Sequence, residues 1–101
     1  MSISVDDVEK YLREALAKPT GIIIVTPDYV YALYETKSNA WRQIQFVFAD
    51  NEGYIDEVDT KRALLYLMEE VSKSLIRYEK GQWKTIISEA ELEELLDKIK
   101  K

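Results

Sequence analysis

Apolar residues recur every three or four positions in three stretches of this chain, and alternate or run together in the segments between them. Val5, Val8, Leu12 and Ala15, joined by Tyr11 and Leu16, share one side of a helix over Val5 to Lys18. Ser4 can cap it with Asp7 three residues on, Ile3 can clamp Val8 across the first turn, and Pro19 stops it. A second helix spans Thr60 to Glu79 behind Asp59, a capping residue. Leu64, Leu65, Leu67, Met68, Val71, Leu75, Ile76 and Tyr78 give it a wide apolar face, so it should be the principal helix covering a sheet. Lys80-Gly81 ends it, and Gln82 to Ile87 reads as extended. The third helix has the clearest start: Ser88 and Glu91 form a capping box, and Ile87 is placed to clamp Leu92. Leu92, Leu95, Leu96 and Ile99 then line one side, and Lys98, Lys100 and Lys101 suit the negative end of its dipole.

The strand signals lie between the first two helices. Gly21 to Thr26 is a continuous β-branched run, the mark of a strand buried on both faces and central in its sheet. Pro27-Asp28 is a turn, and Tyr29 to Thr36 and Ala40 to Ala49 form a hairpin around Lys37-Ser38-Asn39. A tight turn at Ser38-Asn39 sets Glu35 opposite Arg42, and Tyr31 and Leu33 beside Phe46 and Ile44. A three-residue loop would slip the register by one and exchange the inward residues. Ile44, Phe46 and Phe48 form one face of the second hairpin strand, and Trp41, Gln43, Gln45 and Val47 the other. Asp50 to Gly53 is a turn, and Tyr54 to Val58 a short fourth strand. The expected class is α+β: a two-layer sandwich, a three- to four-stranded antiparallel meander with helices packed on one face.

With 101 residues the chain makes one domain, residues 1–101, and its 47% apolar content supports a core without staples. Abundant Lys and Glu with two Asn and three Gln resemble thermophile usage. A net charge of −5 makes the chain acidic and argues against a polyphosphate partner. With neither cysteine nor histidine, disulfides, thiolate metal sites and the commonest general base are excluded. The amino-terminal residues lack the features of a signal peptide, and the longest apolar run, Ile22 to Val25, cannot span a bilayer, so a cytoplasmic protein is the expectation.

Three constellations invite a functional reading. Asp50, Glu52, Asp56, Glu57 and Asp59 are the one carboxylate cluster, but Phe48 stands where a calcium loop needs an acid, and no nucleophile is nearby. No catalytic residue, metal site or cofactor is therefore expected. The basic residues Lys61, Arg62, Lys73, Arg77, Lys80 and Lys84 could form a nucleic-acid surface. The helix–strand–strand–strand–helix order resembles that of a double-stranded-RNA-binding domain, with Thr60-Lys61-Arg62 opening a helix where that family carries basic residues; the family's fuller lysine run and loop histidine are absent. The third constellation is the outer sheet face: Trp41, Gln43, Gln45 and Val47, with Tyr34 and Val30 in the tight-turn register. Aromatic and uncharged polar groups of this kind suit a protein interface. The leading expectation is thus a non-enzymatic interaction module, an accessory or adaptor subunit bound to another protein or to its own copy. Nucleic-acid binding is the alternative, and no membrane is involved.

Overall fold

A computed structural model describes residues 1–79 and 83–101, with side chains described outside residues 74–79. The elements run β1 (Ser2–Ile3), α1 (Val5–Ala17), β2 (Ile22–Val25), β3 (Tyr29–Lys37), β4 (Ala40–Val47), β5 (Glu52–Val58), α2 (Thr60–Glu79), β6 (Lys84–Thr85) and α3 (Glu89–Ile99). The strands form one six-stranded antiparallel sheet in the order β1-β5-β4-β3-β2-β6, giving the expected α+β fold of a sheet with helices packed on it. The expected meander is its centre, and a two-residue strand is added at each end. Ile3 belongs to the first of these, pairing with Gly53.

The helix boundaries have local causes. Ser4 Oγ accepts from the Asp7 amide at 3.1 Å, and Lys18, forced out of helical geometry before Pro19, ends α1. Ser88 Oγ accepts from the Glu91 amide at 3.2 Å. Glu91 reaches back to the amide of Ile87 at 3.2 Å and also accepts from the Ser88 hydroxyl at 3.1 Å. The expected clamp of Ile87 on Leu92 is not made: Ile87 is 79% exposed, and the neighbouring Ile86 is the one buried. Asp59 caps α2, accepting from the Arg62 amide at 2.8 Å.

β2 is buried on both faces as its β-branched run implies, but lies next to the edge, between β3 and β6. Its alternation divides two cores. Ile23 points into the larger, with Val8, Leu12 and Ala15 of α1, Leu92, Leu95, Leu96 and Ile99 of α3, and Val30, Ala32, Tyr34, Ile44 and Phe46 of the sheet. Each fully buried large aliphatic side chain there contributes about 1.5–3 kcal/mol of transfer free energy. Gly21 lets the chain enter β2 hard against α1, since a Cβ there would collide with the Ala15 carbonyl. Ile24 points the other way, into a smaller cluster with Tyr31, Leu33 and Ala63 of α2, bordered by Trp41, Val58, Leu67 and Trp83. α1 and α3 thus share one face, while α2 crosses the opposite face, the one the sequence left open.

The hairpin register differs from the expected one. The turn is tight, with Lys37 opposite Ala40 and Asn39 at φ 58°, but the register shifts between Lys37 and Glu35. The extra residue of this bulge turns β3 over, as a one-residue slip must. Glu35 faces Trp41 instead of Arg42, and Tyr31 and Leu33 lie beside Gln45 and Gln43. Arg42 pairs instead with Glu57 at 2.8 Å and Glu14 at 3.1 Å.

Candidate functional site

The outer face of the sheet, with α2 across it, holds the candidate surface. The tip of the β3–β4 hairpin fixes where α2 begins. Asn39 Oδ1 accepts from the Thr60 amide at 3.1 Å, and Trp41 Nε1 donates to Thr60 Oγ1 at 3.1 Å. From this anchor Ala63 and Leu67 point down onto Tyr31, Leu33 and Ile24. One turn farther, Glu70 sits 8% exposed and accepts from the Tyr29 hydroxyl at 2.7 Å. Lys73 comes within 3.6 Å of Glu70 and 3.3 Å of Glu69, so the acid beneath the helix has a donor and a counter-charge.

Between α2 and the β4–β5 edge runs an open cleft of about 220 Å³, bounded by Tyr31, Gln43, Gln45 and Asp56 on the sheet and by Tyr66 and Lys73 on the helix. The Tyr31 hydroxyl donates to Gln43 Oε1 at 2.8 Å. Burial, and then the negative Glu70, push its pKa above the usual tyrosine range, so it remains a proton-bearing donor. The cleft lining offers hydrogen-bonding groups together with the charged side chains of Asp56, Glu69, Glu70 and Lys73.

The expected partner residues divide between locations. Gln43 and Gln45 line the cleft, and Gln45 is exposed. Trp41 is half-buried, joining the cluster beneath α2, and Val47 is half-buried farther along β4. Tyr34 and Val30 are on the opposite face, buried in the larger core, because the bulge turned β3 over. The Tyr34 hydroxyl donates to Glu14 at 2.5 Å, and burial followed by this bond raises its pKa. Tyr34 is therefore a structural residue.

The basic candidates do not form one described surface. Lys73 is tied to Glu69 and Glu70, and Lys84 pairs with Glu91 at 3.1 Å. Lys61 and Arg62 are exposed at the start of α2. The Arg77 side chain and Lys80 lie outside the described residues. The carboxylates disperse as well: Glu52 bonds Ser2 and Tyr54, Glu57 bonds Arg42, and Asp59 caps α2. Among the described residues no cluster of three or more acidic, histidine or cysteine side chains could hold a metal, and no helix is long and apolar enough to cross a membrane.

Sequence reasoning missed a group of exposed apolar side chains on one helix. Leu64, Leu65 and Met68, read as core, are 49%, 57% and 65% exposed on the outside of α2. The signal was present in the breadth of the apolar arc, which wraps more of the helix than one sheet can cover. No protein-family model matches the chain, and neither curated proteins nor solved structures yield a similar one.

Proposed function

We propose that this chain is a protein-interaction module that works by contact, with the outer side of α2 as its docking surface. One observation carries the reading: Leu64, Leu65 and Met68 stand exposed together, although Ala63 and Leu67 already satisfy the sheet. Scattered apolar residues need no explanation, but a contiguous group on one rigid helix is what a partner can bury. The unbranched thioether of Met68 adapts to irregular surfaces, which suits such a contact.

The test uses the full chain carrying Leu65→Glu and Met68→Glu beside the parent, each cross-linked in native lysate, with the adducts identified by mass spectrometry. One species should be captured by the parent and lost by the variant, with the melting temperature unchanged, because neither side chain loses core burial. Undiminished capture by the folded variant would overturn the reading. Capture that vanishes steeply with salt and brings down nucleic acid would transfer the contact to phosphates.

A further inference from the structure

We propose that the partner is a second copy of this chain, docked α2 against α2, antiparallel, about a twofold axis passing beside Leu65. The inference rests on the interaction reading above and adds the identity of the occupant. Its basis is the order of side chains along the helix. Lys61, Leu65 and Glu69 are spaced by four and form one continuous row on the outside of α2, with Leu64 and Met68 in the adjoining row. Over these three positions the row carries a cation, an apolar centre and an anion, and Lys73 follows one turn farther on.

A twofold interface requires a patch complementary to itself. Rotation about Leu65 lays each end of this row on the opposite end of its copy. Lys61 then meets Glu69 of the other chain twice, while Leu65 meets Leu65 and the adjoining leucine and methionine close over them. A parallel arrangement would set like charges together. Among the described residues Lys61 makes no ion pair and Glu69 makes one, the 3.3 Å contact to Lys73, with both side chains of that pair about half exposed. An exposed pair of this kind is weak, so Glu69 is available to a second cation. One helix buries less than the roughly 800 Å² per partner of a standard interface, so the association should depend on concentration.

Sedimentation equilibrium of the full chain, from micromolar to millimolar concentration at low salt, tests this. The parent should pass from monomer to dimer. Lys61→Glu and Glu69→Lys should each weaken the dimer by roughly tenfold, because each replaces two attractive contacts with two repulsive ones. An equimolar mixture of the two variants should regain the parent's affinity, since every contact across that heterodimer again joins opposite charges. Both substitutions are at exposed positions, and thermal melting verifies folding. A parent that stays monomeric throughout, or a mixture no tighter than its components, overturns the second-copy assignment. The interaction reading would then stand or fall on cross-linking with the Leu65→Glu, Met68→Glu variant, which depends on no copy of the chain.

Discussion

The two faces of the sheet receive the same strands and treat them differently. On the α1–α3 side, fourteen apolar residues are buried together and two helices close over them. On the α2 side, four are buried among the described residues, and the helix above turns Leu64, Leu65 and Met68 outward. The first face is a core that leaves its helices nothing further to bury. The second has a helix with apolar groups on two sides, one used for folding and one free for something else. Apolar patterning alone marks a residue as able to be buried; which body buries it depends on how much surface the fold supplies.

The sharpest way to break this comparison is to truncate one large side chain on each face. Phe46→Ala, at 1% exposure in the larger core, should lose about 3–5 kcal/mol. Leu67→Ala should lose distinctly less, because Leu67, on the sheet-facing side of α2, is only partly buried. Chemical denaturation reads both, and equal losses would make the two faces equivalent. Next in size is the α3 cap: Ser88→Ala should lose about 1 kcal/mol, since the Glu91 amide loses its acceptor. An unchanged denaturation midpoint would mean that Glu91, through its bond to Ile87, suffices alone.

The smallest effect is electrostatic and falls on the α1–α3 side. Hydrogen bonds from Lys100 and then Arg13 hold Glu9 below the ordinary carboxylate value of 4.5, and the Ile87 amide and then Lys84 do the same for Glu91. A carboxylate depressed in the folded state stabilises it above the unfolded pKa, and that contribution disappears as pH falls through the folded one. The melting temperature should therefore decline as the pH drops below about 4.5, and Glu9→Gln with Glu91→Gln should make that decline shallower. The same slope in both proteins would remove these two acids from the acid response.

The sequence was most legible where structure has local causes. Ser4, Pro19, Asp59 and Ser88 bound their helices through neighbours within four residues, and the alternation along β4 correctly divided Ile44 and Phe46 from Trp41, Gln43 and Gln45. It was least legible where one residue settles a long-range choice. The Ser38-Asn39 turn could be read, but the register shift behind it could not, and that shift alone moved Tyr34 from the outer face to the core. The position of α2 was hidden for another reason. An apolar arc reports that a helix packs and not on which face, so Trp41, expected on an open face, lies half-buried beneath α2, and exposed apolar side chains stand on the helix above it.

The ends of the sheet have a consequence for how copies of the chain can meet. Exposed strand edges invite open-ended stacking, in which each added chain presents a new edge to the next. Here β1 and β6, two residues each, terminate the sheet, and the stretch of β5 beyond the pairing with β1 carries Asp56 and Glu57. Short, charged margins of this kind discourage fibre growth through backbone pairing. Contact through a single helix face exhausts itself once that face is covered. If copies meet through α2 as proposed, the twofold contact closes at two chains and leaves no strand edge from which a fibre could grow.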